Sequence, residues 1–122
     1  MNATVLVVDD NPTNLKLVSD VLEFDGYAVL QAADAEEARR VIGRTPPALI
    51  LMDIALPGMD GLTLTRQLKA DEATRNIRIV ALTAFAMKGD DQKALAAGCD
   101  GYLTKPIDTR KLSGQVATWL NP

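Results

Sequence analysis

The sequence of 122 residues contains no histidine. That removes imidazole as general base, metal ligand or phosphoryl carrier among these residues. A single cysteine, Cys99, cannot close an internal disulfide, which points to a reducing compartment. One thiol without imidazole also cannot fill a structural zinc site. No run approaches the about 20 apolar residues of a membrane span, and no secretory signal opens the chain. A concentrated basic patch is missing too. The net charge is −3 and the isoelectric point about 4.8, which argues against electrostatic binding to nucleic acid or anionic membrane. Repeats, low-complexity tracts and linkers are absent. These exclusions predict a cytoplasmic protein that binds neither nucleic acid nor membrane. Chemistry is left to carboxylates, hydroxyls, lysines and backbone.

What remains is ordinary globular material, 48% hydrophobic and 24% charged, enough for one domain over residues 1–122. Short apolar runs alternate with longer amphipathic ones. Val5–Val8 and Ala48–Met52 have nothing polar inside and read as strands buried on both faces. Tyr27–Ala32, Ile77–Leu82 and Gly101–Thr104 are the other predicted strands. Pro12 suits a first helix with Leu15, Val18, Val21 and Leu22 on one face and Gly26 after its end. Asp34 with Glu37 forms a capping-box pattern ahead of Ala35, Ala38, Val41 and Ile42, and Pro46-Pro47 breaks that helix. A third helix is expected from about Gly61 with Leu64 and Leu68. A fourth spans Asp90–Ala97 and closes at Gly98. Asp108 is expected to cap the last, with Leu112, Val116 and Leu120 aligned.

Strict β/α alternation with apolar strands implies a parallel sheet covered by helices on both faces. The predicted fold is therefore α/β: a flavodoxin-like (βα)5 three-layer sandwich with a five-stranded parallel sheet in the order 2-1-3-4-5. Ligands of such sheets sit beyond the carboxyl ends of the strands, here between strands 1 and 3.

Those strand ends carry the functional argument. Asp9 and Asp10 follow strand 1, Asp53 follows strand 3, Thr83 follows strand 4 and Lys105 follows strand 5. The predicted order brings all five to one rim. Crowded carboxylates repel and raise one another's pKa unless a cation intervenes. With oxygen ligands only, Mg²⁺ or Mn²⁺ is the natural occupant. A metal, the Lys105 ammonium and the Thr83 hydroxyl around one carboxylate would clamp a phosphoryl group. Asp53, between them, is the candidate nucleophile.

At these residues the chain resembles the receiver domain of two-component response regulators over essentially its whole length. Four segments carry the likeness: Val5–Asn11, Leu49–Gly61, Ala81–Ala84 and Gly101–Pro106. Each is weak alone, but all four in order are specific. The resemblance implies Asp53 as phosphoacceptor and Asp10, Asp53 and the Ala55 backbone carbonyl as metal ligands, with Asp9 acting through water. It implies that Lys105 pairs with a phosphoryl oxygen and Asp53, and that Thr83 and Tyr102 move as switch residues. It also implies a cis Lys105–Pro106 peptide. The implied partners are a histidine kinase or histidine phosphotransfer protein as donor, and a downstream protein bound through helix 4, strand 5 and helix 5. Ala84–Asp90 resembles cell-cycle single-domain regulators and hybrid-kinase receivers. A stand-alone regulator is favoured because Met1 lies just before strand 1, with a receiver excised from a hybrid sensor kinase as the alternative.

Competing readings are weaker. A Mg²⁺-dependent phosphatase of the haloacid dehalogenase type would carry an aspartate two residues after the nucleophile, where this chain has Ala55. A flavin or nucleotide module would need a glycine-rich phosphate loop where Asp9-Asp10 stands. The expectation is a switch, not an enzyme. Phe85 is expected to cover or gate the site, Asp60-Gly61 to form a cap and turn, Cys99 to be partly buried without a redox role, and Trp119 to pack the last helix.

Overall fold

In a computed structural model, residues 3–56, 58–83 and 89–120 are described. Within them the chain runs β1 (Thr4–Val8), α1 (Pro12–Phe24), β2 (Ala28–Ala32), α2 (Ala35–Arg44), β3 (Leu49–Asp53), α3 (Gly61–Ala70), β4 (Arg78–Thr83), α4 (Asp90–Ala97), β5 (Gly101–Thr104) and α5 (Leu112–Leu120). All strand pairs are parallel, in the order β2-β1-β3-β4-β5, as expected.

The apolar runs of β1 and β3 divide by parity, because successive strand side chains point to opposite faces. Leu6, Val8, Ile50 and Met52 join Ala38, Ile42, Leu64, Leu68 and Ala94 beneath α2, α3 and α4. Val5, Val7, Leu49 and Leu51 join Val18, Leu22, Leu112 and Val116 beneath α1 and α5. Each strand feeds two cores, so a polar residue inside either run would be buried without water. Trp119 packs against the second core, as expected, and Cys99 belongs to the first.

Helix starts follow local chemistry. The Asn11 side chain accepts from the N–H groups of Thr13 and Asn14 ahead of Pro12. Asp34 accepts from Glu37 N–H, and Glu37 accepts in return from Ala33 N–H, a capping box displaced by one residue. Asp60 caps α3 through Thr63 N–H. Gly26 and Gly98 follow the ends of α1 and α4 with positive φ.

The starts of β1 to β4 shift by one residue from expectation, and three boundaries nearer the site differ as well. Asp53 and Thr83 are the last residues of their strands, not the first residues beyond them. The sheet ladder continues past the apolar run, with Ile54 N–H donating to the Leu82 carbonyl. Asp108 accepts from Arg110 N–H and so caps a turn ahead of α5, whose regular helix begins at Leu112.

Candidate functional site

The parallel register carries the chemistry to one rim. Val8 pairs with Met52, so Asp9 and Asp53 stand side by side one residue further on. Asp53 pairs with Leu82, and Thr83 pairs with Thr104, so Thr83 and Lys105 follow on the neighbouring strands. Backbone bonds extend the sheet beyond the strand ends. Asp9 N–H donates to the Ala32 carbonyl at 3.0 Å and Lys105 N–H to the Thr83 carbonyl at 2.7 Å. The acidic and basic residues of the site therefore stand on tethered backbone.

Asp9, Asp10 and Asp53 each offer a carboxylate oxygen, and these oxygens lie within 4.8 Å of one another. Asp9 and Asp53 are buried, while Asp10 is exposed and faces solvent. Lys105 reaches into the group, with Nζ 3.1 Å from Asp53 Oδ2 and 3.4 Å from Asp9 Oδ2. The second oxygen of each buried acid is held by a backbone donor. Asn11 N–H donates to Asp9 Oδ1 at 2.9 Å, and Ala55 N–H donates to Asp53 Oδ1 at 2.9 Å. Burial is thus compensated at every oxygen of the two inner carboxylates.

The electrostatics remain biased toward one more positive charge. Burial is the largest influence on Asp9 and raises its pKa above the ordinary aspartate value. The adjacent Asp53 adds to the rise, while Asn11 N–H and Lys105 only partly oppose it. For Lys105, burial pulls the pKa down, but the hydrogen bond to Asp53 and the charges of Asp53 and Asp9 outweigh it, and the net direction is up. Lys105 is therefore a cation across the neutral range. One ammonium facing three carboxylates leaves a deficit that a divalent ion would fill.

The donor set fits such an ion. It is all oxygen, carries more than one formal negative charge and has an open side at Asp10, as Mg²⁺ requires for its waters. The separations of up to 4.8 Å are close to the ~4 Å that opposite ligands span around Mg²⁺. Zinc is a poor match without nitrogen or sulfur donors.

Other expected site residues are placed less centrally. Thr83 ends β4 and is fully buried. Ala55 is exposed in the loop after β3. Lys105–Pro106 is cis, as the resemblance implied. The Tyr102 side of β5 faces outward, and the residue is 37% exposed. Phe85 and Pro57 lie outside the described residues, as does most of Ala84–Asp90. A hollow of about 310 Å³ opens beside Asp9 and Lys105, walled by Asn14, Leu17 and Ile107. Sequence reading missed the role of Asn11, whose backbone orients Asp9 while its side chain caps α1. It also missed Gly61, whose N–H donates to the Ile54 carbonyl just beyond β3. Neither role leaves a signal beyond a cap residue and a turn glycine.

Comparison with known proteins agrees with this geometry. The family model described as "Response regulator receiver domain" matches residues 5–117. The polar-differentiation response regulator DivK of Brucella ovis is 40% identical over 120 residues, covering 98% of each chain. The receiver domain of a sensor histidine kinase from Pseudomonas aeruginosa, solved with a magnesium ion coordinated in its active-site cleft, superposes with a TM-score of 0.91. It is 37% identical, with 100% of both chains covered. The chemotaxis response regulator CheY4 of Vibrio cholerae gives a TM-score of 0.90 at 28% identity, covering 97% of this chain and 98% of its own. With the five-stranded sheet, the strand-end acids and the family match in agreement, the chain belongs to the response-regulator receiver domains, the phosphoacceptor switches of two-component signalling.

Proposed function

We propose that Asp53 is the phosphoacceptor, and that residues 1–122 work as one receiver domain taking its phosphoryl group from a phosphohistidine on another protein. The observation that carries this reading is the position of Asp53. It is buried at the centre of the rim, bonded through one oxygen to Ala55 N–H and through the other to Lys105. No histidine occurs among these residues, so the donor imidazole comes from outside them. A histidine kinase or a histidine phosphotransfer protein fits that role. The cytoplasm, where such donors work, is the proposed location.

In the proposed reaction a carboxylate oxygen of Asp53 attacks phosphorus in line. The new O–P bond forms as the P–N bond to the donor imidazole breaks, and the imidazole leaves with the bonding electron pair. Asp10, Asp53 and the Ala55 carbonyl would hold Mg²⁺, with Asp9 acting through a water; Mn²⁺ has the same ligand preference. When bound, the ion supplies neutralisation of the charge on the phosphoryl oxygens. Lys105 turns from Asp53 Oδ2 toward a phosphoryl oxygen, exchanging one anionic partner for another. The Thr83 hydroxyl hydrogen-bonds a second phosphoryl oxygen. Water attacking phosphorus along the same line forms a new P–O bond as the bond to the Asp53 oxygen breaks, releasing inorganic phosphate and the free carboxylate.

The output is a population shift in which Thr83 and Tyr102 move toward the site and remodel the face formed by α4, β5 and α5. A downstream protein reads that face. The outward position of Tyr102 supports assigning this structure to the resting side of the equilibrium. A second reading has its own support: the likeness to a sensor-kinase receiver over the full length is compatible with the segment acting inside a hybrid kinase.

The test is incubation with phosphoramidate and Mg²⁺ followed by intact mass. One added phosphoryl group is expected, absent with EDTA and absent in Asp53→Asn. Labelling that persists in Asp53→Asn would move the acceptor elsewhere.

A further inference from the structure

Gly61, the first residue of α3, lies unusually close to the acceptor strand. A Cβ built there would sit 2.3 Å from the Asp53 carbonyl oxygen, 2.9 Å from Ile54 Cα and 2.9 Å from Met52 Cγ. Gly61 is not among the positive-φ glycines, so its backbone is open to any residue. The demand for glycine is one of space alone, and the space is taken by the backbone of the proposed phosphoacceptor.

We propose that Gly61 is a positioning residue for phosphoryl acceptance: its bare Cα lets α3 seat against the Asp53 carbonyl and so fixes where Asp53 and Ala55 present their oxygens. This rests on the reading of Asp53 as acceptor. A methyl group at Gly61 would have to push the carbonyl back by about 0.7 Å to reach even the shortest contact that real Cβ atoms make. Met52 can yield, because its thioether is flexible. The carbonyl can yield only by turning the 53–54 peptide. That peptide is tethered through Ile54 N–H to the Leu82 carbonyl, and the Ile54 carbonyl accepts from Gly61 N–H. Retreat of α3 is opposed by its buried Leu64 and Leu68, which pack in the same core as Ile50 and Met52 of β3.

The displacement therefore passes to the next residue along. Ala55 supplies the N–H that holds Asp53 Oδ1, and it carries the carbonyl proposed as a cation ligand. Disturbing the groups that orient a metal's ligands commonly costs 10- to 100-fold in affinity, and a misplacement of about 1 Å costs about 100-fold in rate.

Gly101 provides a control. A Cβ there would meet the Trp119 ring at 2.5 Å, nearly as close but against a side chain, at the start of β5 and away from the strand ends that bear the site. Three quantities are measured for the parent, Gly61→Ala and Gly101→Ala: the Mg²⁺ dissociation constant by calorimetry, the phosphoramidate labelling rate by intact mass, and the thermal midpoint. Gly61→Ala is expected to lose about tenfold or more in both Mg²⁺ affinity and labelling rate. Gly101→Ala is expected to melt earlier while keeping both within about twofold of the parent. If Gly61→Ala does not fold in plain buffer, the same measurements are made in trimethylamine N-oxide, which favours the compact state. A Gly61→Ala variant that binds Mg²⁺ and labels like the parent overturns the inference, whatever its melting temperature. A parent that takes no phosphoryl group on Asp53 overturns the reading of the site itself, which the Asp53→Asn comparison detects separately.

Discussion

Replacing Lys105 with Met removes one cation from between two buried acids, and its effect can be worked from the distances. Nζ lies 3.1 Å from Asp53 Oδ2 and 3.4 Å from Asp9 Oδ2. At an effective dielectric of about 20, each contact is worth about 5 kcal/mol of attraction, while carboxylate oxygens within 4.8 Å of one another repel by at least about 3 kcal/mol. The lost attraction is not the net effect, because Lys105 is itself released from a costly desolvation. The cluster also has an escape, since Asp9 can take up a proton. For an ordinary aspartate at pH 7 that costs about 4 kcal/mol, and less for Asp9, whose pKa is already raised by burial. The expected loss of stability in EDTA is therefore about 2–4 kcal/mol, a fall of about 1–3 M in the urea midpoint. Trp119, the single tryptophan, reports the transition by fluorescence. Mg²⁺ should bind Lys105→Met more tightly than the parent, because the competing ammonium is gone, and saturating Mg²⁺ should narrow the stability gap. Phosphoryl transfer should nonetheless slow. A variant within about 0.5 kcal/mol of the parent in EDTA, or one that binds Mg²⁺ more weakly, would refute this account of the charges.

Two further outcomes follow from the same residues. Asp9 has a raised pKa in the fold, so its contribution to stability is fully present below the ordinary aspartate value and is lost as pH rises through the raised one. Urea unfolding in EDTA should show stability falling with rising pH across that window, by at most about 1.4 kcal/mol per pH unit, and Mg²⁺ should flatten the slope; a flat profile in EDTA would count against the buried-acid account. Asn11→Ala removes the side-chain acceptor for the N–H groups of Thr13 and Asn14 and should cost about 1 kcal/mol of stability. Its Mg²⁺ affinity should stay close to that of the parent, because Asp9 is held by the backbone N–H of Asn11; a large fall would mean the side chain acts on the site.

The sequence displayed the fold where burial is two-sided. Val5–Val8 and Leu49–Met52 are uninterrupted apolar runs because each of their residues faces one of two cores, and no other placement removes all of them from water. The strand ends were less legible, and the reason is the ladder. Asp53 and Thr83 hydrogen-bond as strand residues although their side chains belong to the site, so apolar patterning stops one residue before the strand does. The start of α5 was misplaced for a related reason. Asp108 is a capping residue, but the turn it caps closes on Arg110 before the helix becomes regular. The site followed from strand order alone: once β1, β3, β4 and β5 are neighbours, Asp9, Asp53, Thr83 and Lys105 have one rim to share.

What holds those side chains in place was hidden, because backbone performs it. Asp9 is oriented by the N–H of Asn11 and Asp53 by the N–H of Ala55, and any residue other than proline offers an N–H. Asn11 could be read as a helix cap, and the resemblance singled out Ala55 for its carbonyl, without any hint of either N–H bond. Gly61 is hidden in another way. Its neighbour across the gap is a carbonyl eight residues earlier, met only after the chain has left β3 and returned as α3. The side chains proposed to perform the chemistry thus stand at the ends of strongly patterned elements, where sequence speaks. The groups that set their geometry are amides and a missing methyl, where it is nearly silent. Substitutions at Asp53 or Lys105 should accordingly change what the site can do. Substitution at Gly61 should change how well the same residues do it, and that difference separates a positioning role from a chemical one.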